Sequence, residues 1–173
     1  MERFGQVHFI GIGGSGMSAI ARVLLEMGIR VSGSDLVQKE ITELLTRMGA
    51  RIHIGHDADN LIGADAVVYS SDIPPDNPEL LAARQMGLPL FHRSQMLAQI
   101  LNAKRGVAVS GAHGKTTTSS LIAVMMERCG LDPTYLLGGE VVGLESNARY
   151  GHGEYVVAEA DESDRSFLAY YPS

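Results

Sequence analysis

The sequence predicts an α/β protein in which two successive units each combine parallel β-strands with helices. Short β-rich runs alternate with helical patterns over the first hundred residues, and the alternation restarts after a polar, basic connector at residues 102–106. In addition, 20 of the 173 residues are glycine, which exceeds the usual share of about 7%. This surplus indicates several tight turns and helix ends between short elements.

The first unit, residues 1–103, is predicted to be a Rossmann-like domain with a parallel sheet. Its predicted strands cover residues 6–10, 30–33, 52–54, 66–70 and 89–91. Apolar residues at helical spacing predict one helix through residues 17–24 that ends before Gly28, and another through residues 41–48 that ends at Gly49. A third helix opens at Asn77 and Pro78, and Ser94 is expected to be the N-cap of a fourth, which continues through residue 101.

The second unit, residues 104–173, is predicted to be an incomplete α/β domain. A strand is predicted over residues 106–110, followed by a glycine loop and a helix from Lys115 to about Arg128. Further strands are predicted over residues 134–137 and 155–158. The order of strand, glycine loop and helix is typical of a P-loop-type domain.

Composition and charge exclude several classes of protein. With 14 Lys and Arg against 20 Asp and Glu, the chain carries a formal net charge of −6, which disfavours binding to nucleic acid or to an anionic membrane surface. No apolar run approaches the roughly 18 residues of a membrane span. The single cysteine, Cys129, and the lack of a signal-peptide pattern favour a cytoplasmic location. No pattern in the sequence specifies an oligomeric state.

The first glycine loop matches the pattern G-x-G-x-x-G between a predicted strand and a predicted helix. Its sequence is Gly11-Ile12-Gly13-Gly14-Ser15-Gly16. In this context the glycines allow a tight turn, close approach of a pyrophosphate and close packing of the helix. Asp35 follows the second strand, where an acidic side chain can meet a ribose hydroxyl. We therefore predict a nucleotide or nucleotide-sugar site, with a purely structural turn as the alternative.

The second glycine loop contains the Gly-Lys-Thr core of a phosphate-binding loop. It reads Gly111-Ala112-His113-Gly114-Lys115-Thr116-Thr117, and Val109 stands where the usual pattern has its first glycine. The loop is therefore a shorter variant. Lys115 is expected to contact the β- and γ-phosphates of ATP, and the Thr116 hydroxyl to bind Mg²⁺. We predict that all seven residues contribute to an ATP site.

A magnesium site needs a further oxygen ligand, and Glu159 is the candidate. It ends the apolar run Tyr155-Val156-Val157-Ala158, so it is expected at the carboxyl edge of a strand, where the sites of α/β proteins assemble. Lys115, Thr116 and Glu159 are the predicted catalytic residues, and Thr116 and Glu159 the predicted metal ligands. The acidic residues that follow, Asp161, Glu162 and Asp164, receive no assigned role.

In their order along the chain, these motifs resemble those of the ATP-dependent Mur ligases of bacterial cell-wall synthesis. The motifs that carry the resemblance are HFIGIGGSGMS at residues 8–18, SGSD at 32–35, GAHGKTTT at 111–118, EADESD at 159–164 and SFL at 166–168. Within the family, the branch that joins L-alanine to UDP-N-acetylmuramate is the most similar. Ala112 departs from the threonine expected at its position, and this change leaves the backbone of the loop intact.

The resemblance implies that the first domain binds UDP-N-acetylmuramate and that the second binds ATP and Mg²⁺. The implied reaction phosphorylates the sugar's lactyl carboxylate and then joins it to L-alanine, in peptidoglycan synthesis. Gly11, Gly13, Gly14, Ser15 and Gly16 would hold the pyrophosphate, Asp35 the nucleoside, and Ser70 and Ser71 would lie on the substrate side. The resemblance also implies a C-terminal domain, which we expect to lie outside this sequence, so we expect this chain to bind the sugar nucleotide but not to catalyse ligation alone.

Several alternatives remain open at this level. An NAD-dependent oxidoreductase would use the first loop and Asp35 but would leave Lys115, Thr116 and Glu159 without a role. A non-catalytic sugar-nucleotide-binding module would use the first domain alone. Within the family, a murein-peptide ligase would attach a whole peptide to the same sugar nucleotide. His92 and His113 lie near the predicted sites without an assigned function. The residues that select the amino-acid substrate are expected to lie largely outside this sequence.

Overall fold

A computed structural model describes residues 4–139, 141–144 and 146–160. The first elements in chain order are β1 (Gln6–Ile10), α1 (Ser15–Glu26), β2 (Arg30–Asp35), α2 (Glu40–Arg47), β3 (Arg51–Ile54), a 3-10 turn (Ala58–Leu61), β4 (Ala66–Tyr69), α3 (Pro78–Gln85) and β5 (Leu90–His92). The remaining elements are α4 (Arg93–Asn102), β6 (Arg105–Val109), α5 (Lys115–Arg128), β7 (Thr134–Leu136), β8 (Ala148–Arg149) and β9 (Tyr155–Glu159).

The chain forms two compact units that divide between Arg93 and Ser94. In the first, five strands form one sheet in the order β3-β2-β1-β4-β5, and every pairing is parallel. The strand order reverses between β1 and β4, which creates the crevice where doubly wound folds bind their ligands. The predicted α/β class and parallel sheet are confirmed.

The core of the first unit explains its short, apolar strands. β1 contributes four fully or nearly fully buried residues, including Phe9 and Ile10. α1 buries Ile20 and Leu24 on the face that the helical spacing indicated. Strands of a parallel sheet are covered on both faces, so they read as continuous apolar runs rather than as alternating patterns.

Capping residues set the start of α3, as the sequence indicated. Asn77 is its N-cap, and the Asn77 side-chain oxygen accepts hydrogen bonds from the backbone N–H groups of Glu79 and Leu80 at 3.0 and 3.2 Å. Pro78 occupies the first helical position, where its missing N–H costs nothing. The expected N-cap Ser94 is wrong, because β5 leads directly into α4 and the helix begins at Arg93.

In the second unit, four strands form a sheet in the order β6-β9-β7-β8. β9 pairs in parallel with both β6 and β7, whereas the two-residue β8 is antiparallel to β7 and was not predicted. The predicted domain boundary at residue 103 differs from the division of the structure at Arg93 by the length of α4. The assignment of functional domains to residues 1–103 and 104–173 therefore stays a prediction.

None of the helices within the described ranges combines the length and apolar character needed to cross a membrane.

Candidate functional site

The first glycine loop joins β1 to α1 at the carboxyl edge of the first sheet. Gly11 has a φ of +79°, a left-handed conformation that favours glycine. Gly14 is the N-cap of α1, and the first helical hydrogen bond runs from the N–H of Ser18 to the carbonyl of Gly14 at 2.8 Å. The N–H groups of Ser15 and Gly16 precede that bond, so the helix end can bind an anion.

The end of β2 holds this loop through its backbone. The Ser34 carbonyl accepts hydrogen bonds from the N–H groups of Gly11 and Ile12, both at 2.9 Å. The next residue, Asp35, accepts a hydrogen bond at Oδ2 from the Gly13 N–H at 2.8 Å. A side chain on Gly13 would place its Cβ 2.7 Å from that oxygen. Glycine at position 13 therefore allows the Asp35 carboxylate to approach the loop backbone closely.

Asp35 itself lies in a mostly buried position beside a basic side chain. It is 7% exposed, and its Oδ1 lies 3.6 Å from the Nζ of Lys39. Lys39 Nζ also donates to the Gly13 carbonyl at 3.4 Å. The structure thus gives Asp35 a role in holding the loop, in addition to the nucleoside contact that the sequence suggested.

Residues after β4 and β5 complete the edge of the sheet near the strand-order reversal. Ser70 and Ser71 follow β4 directly. The Ser71 hydroxyl lies 3.0 Å from Nε2 of His92, the last residue of β5. Arg93 packs so closely against Gly16 that a Cβ there would lie 2.9 Å from its guanidinium. Sequence reasoning assigned no role to Arg93 or His92, because only the sheet order brings Arg93 to the glycine loop and His92 to Ser71.

The second glycine loop has the same arrangement of strand, glycine N-cap and helix. Gly114 caps α5 with a φ of +76°, and the first helical bond runs from the N–H of Thr118 to the Gly114 carbonyl at 2.9 Å. Lys115 Nζ donates to the Gly111 carbonyl at 2.8 Å, so its ammonium lies across the loop. Val109 is the last residue of β6, which explains why this loop is shorter than the usual pattern.

The remaining predicted residues of this loop lie at its surface. Ala112, His113 and Gly114 are exposed, as is Thr117 in the first turn of α5. Backbone groups in this segment are therefore accessible to a phosphate. The acidic residues Asp161, Glu162 and Asp164 lie outside the described residues.

Glu159 meets the second loop at the carboxyl end of β9, between β6 and β7. Its Oε2 accepts a hydrogen bond from the Thr116 hydroxyl at 3.2 Å. Its Oε1 accepts from the Ser119 hydroxyl at 3.2 Å and from the Gly138 N–H at 2.7 Å. The structure thus brings together the two residues that the sequence proposed as metal ligands.

Sequence reasoning missed two partners of this carboxylate. Ser119 lies three residues after Thr116 on α5 and is fully buried, so the helical spacing was the signal that could have found it. Its hydroxyl also contacts the carbonyls of Lys115 and Thr116. A side chain on Gly138 would place its Cβ 2.7 Å from Glu159 Oε2, so a glycine is needed here for close approach.

The donor set of this site suits a hard divalent cation. Thr116 Oγ1 and Glu159 Oε2 are both oxygens and lie 3.2 Å apart. This distance is close to the separation of about 2.9 Å between adjacent ligands of octahedral Mg²⁺. Mg²⁺ commonly takes one or two protein ligands and completes its shell with water and substrate phosphates. No group of three or more His, Cys, Asp or Glu side chains that could hold a metal occurs among the described residues, and this kind of site needs none.

Comparison with known proteins gives a consistent result. Residues 6–105 match the family model described as "Mur ligase family, catalytic domain". The UDP-N-acetylmuramate--L-alanine ligases of Burkholderia ambifaria and Burkholderia cenocepacia are each 54% identical to this chain over 96% of its length. The chain spans 36% of the length of these curated relatives.

Solved structures agree with the sequence comparison. The UDP-N-acetylmuramate-alanine ligase MurC of Thermotoga maritima has a TM-score of 0.89 and 36% identity, and the match covers 98% of this chain and 40% of that one. The UDP-N-acetylmuramate:L-alanyl-gamma-D-glutamyl-meso-diaminopimelate ligase of Neisseria meningitides has a TM-score of 0.89 and 30% identity, covering 98% and 59%. With the family model matching more than half of its residues, the chain belongs to the Mur ligase family.

Proposed function

We propose that this chain carries the sugar-nucleotide site and the ATP-binding elements of a ligase that joins L-alanine to UDP-N-acetylmuramate. The observation that carries the proposal is the contact between Thr116 and Glu159 at the start of α5. This contact places the carboxylate at the end of a strand beside a Gly-Lys-Thr loop. An oxidoreductase would not need this combination. The names of relatives that are 54% identical support the choice of substrates.

The first loop is the proposed site of the UDP moiety. The helix end at Ser15 and Gly16 would receive the pyrophosphate, because its N–H groups and dipole favour negative charge. Asp35 would contact the nucleoside while it holds Gly13. Ser70 and Ser71 would face the sugar, because they directly follow β4 at the point where the strand order reverses.

The second loop is the proposed site of ATP and Mg²⁺. Lys115 would neutralise charge on the β- and γ-phosphates, and the N–H groups at the start of α5 would hold their oxygens. Thr116 and Glu159 would hold Mg²⁺, with Ser119 and Gly138 fixing the carboxylate. The metal, when bound, offsets negative charge on the phosphates during transfer.

The proposed reaction has two steps. A lactyl carboxylate oxygen takes the γ-phosphoryl group of ATP and ADP leaves, because an unmodified carboxylate is a poor electrophile. The amine nitrogen of L-alanine then attacks the carbonyl carbon, phosphate leaves and an amide forms. Residues of this chain position the phosphates and the sugar nucleotide, and they stabilise the charge that develops on the phosphoryl oxygens. Both substrates and the single Cys129 favour a cytoplasmic reaction.

The test is an assay of phosphate release by the natural full-length protein that carries this chain. With UDP-N-acetylmuramate and ATP present, we expect release to depend on L-alanine and to fall at least about a hundredfold in Lys115→Ala, since loops of this kind contribute several kcal/mol to phosphoryl transfer. Release that depends instead on the tripeptide L-alanyl-γ-D-glutamyl-meso-diaminopimelate would support the murein-peptide ligase alternative. Full activity of Lys115→Ala would contradict the assignment of the loop.

A further inference from the structure

A buried cluster of polar side chains surrounds Glu79, on the first turn of α3. Glu79 is fully buried, and its carboxylate contacts four side chains from other segments. These are Ser34 on β2, His8 on β1, His56 after β3 and Asn60 in the 3-10 turn. We call these five residues the Glu79 cluster. The proposed ligase chemistry uses none of their side chains.

The contacts of the Glu79 cluster keep the carboxylate ionised. Oε2 accepts a hydrogen bond from the Ser34 hydroxyl at 2.5 Å and lies 2.9 Å from His56 Nδ1. Oε1 accepts from Asn60 Nδ2 at 2.7 Å and lies 3.5 Å from His8 Nε2. Burial alone raises the pKa of Glu79, but the contacts from His8, Ser34 and Asn60 outweigh it and lower the pKa to about 2.

The Glu79 cluster is connected to the glycine loop through Ser34. The Ser34 side chain is bound to Glu79, while its carbonyl accepts hydrogen bonds from the N–H groups of Gly11 and Ile12. Its neighbour Asp35 accepts the N–H of Gly13. The end of β2 therefore fixes three consecutive amides of the loop, and the buried carboxylate fixes the end of β2.

We propose that Glu79 is a positioning residue for nucleotide binding, whose carboxylate holds Ser34 and thereby the glycine-loop backbone in its binding conformation. This inference rests on the proposed role of the loop as the sugar-nucleotide site. Well-packed apolar side chains stabilise a fold at least as well as a buried ionised group. A network in which one carboxylate contacts side chains from four segments instead fixes those segments in a single geometry. Through Ser34, this network also fixes the backbone of the glycine loop.

The test compares three variants of the full chain. Glu79→Gln keeps the shape of the side chain but removes its charge, and Ser34→Ala removes only the hydroxyl link while leaving the carbonyl. Leu80→Val is the matched control, because Leu80 is the next residue of α3, is 2% exposed and packs in the apolar core. Each variant is measured for UDP-N-acetylmuramate affinity by calorimetry, for unfolding by urea, and for amide hydrogen exchange without ligand.

Glu79→Gln and Ser34→Ala are expected to weaken UDP-N-acetylmuramate binding by about tenfold or more, because the loop is then no longer held in its binding conformation before the ligand arrives. They should also accelerate amide exchange at Gly11, Ile12 and Gly13 more than in β4. Leu80→Val should lower stability while its affinity stays within about twofold.

Equal acceleration in the loop and in β4 would overturn the positioning role, as would an equal loss of affinity in Leu80→Val. If the unmodified chain does not bind UDP-N-acetylmuramate, the proposed function fails. The exchange of the loop amides without ligand then still decides whether Glu79 positions the loop.

Discussion

Gly138→Ala offers a sharp perturbation of the proposed magnesium site because it removes none of the proposed ligand side chains and displaces only one of them. The added Cβ would lie 2.7 Å from Glu159 Oε2 and 3.1 Å from Oε1. To restore a contact of about 3.4 Å, the carboxylate must move by about 0.7 Å. Since it is the end of a flexible side chain, it can move without unfolding the sheet.

The displacement has a cost that can be worked from the contacts. The carboxylate must move away from Gly138, so the hydrogen bond from the Gly138 N–H to Glu159 Oε1, now 2.7 Å long, is stretched. A hydrogen bond to a charged group contributes about 1.5–3 kcal/mol. Loss of one such bond in the metal-bound state lowers affinity for Mg²⁺-ATP by about 10- to 100-fold.

The assay is calorimetric titration of ATP into the full chain, with Mg²⁺ and with EDTA. Gly138→Ala should lose affinity only when Mg²⁺ is present. Gly139→Ala is the matched control, because its Cβ would lie 3.8 Å from Thr116 Cγ2, an ordinary contact. Wild-type affinity for Mg²⁺-ATP in Gly138→Ala, or an equal loss with EDTA, would refute the assignment of Glu159 as a metal ligand.

Three further outcomes are expected. Lys115→Ala should weaken ATP binding by about tenfold or more, as loss of a charged phosphate contact does; unchanged affinity in the same titration would contradict its role. Gly13→Ala should weaken UDP-N-acetylmuramate binding by a similar factor of about ten, because its Cβ would lie 2.7 Å from Asp35 Oδ2; calorimetry that finds no change would argue against the first site. The pKa of Glu79, lowered from 4.5 to about 2, means that its ionised form stabilises the fold above pH 4.5 and that this stability is lost as the pH falls toward 2. Urea unfolding across that range should therefore show a smaller loss in Glu79→Gln, and an identical pH profile would contradict the ionised state.

Most of the first unit could be predicted because its signals are local. Glycines end the helices, Asn77 and Pro78 begin α3, and the buried strands are short apolar runs. Two-residue β8 could not be predicted, since a strand of that length has no pattern and exists only through its pairing with β7. The start of α4 differed by two residues from the prediction, which made Ser94 the N-cap, because β5 continues into the helix without a loop.

The candidate sites were predictable where a motif carries the chemistry and not where tertiary packing supplies it. Thr116 and Glu159 follow from a loop and a strand end, and the structure brings them to 3.2 Å. Ser119 reads in the sequence as one polar residue among several at the start of α5. Glu79 reads as an ordinary first-turn acid, because its partners come from four other segments of the chain.

Both phosphate sites can be tested at once in a titration of the unmodified chain with UDP-N-acetylmuramate and Mg²⁺-ATP. We expect one molecule of each to bind and neither to displace the other. Gly13→Ala should lose only the sugar nucleotide, and Lys115→Ala only ATP. Competition of the two ligands for one site, or binding of NAD with no response to UDP-N-acetylmuramate, would contradict the assignment of the two loops.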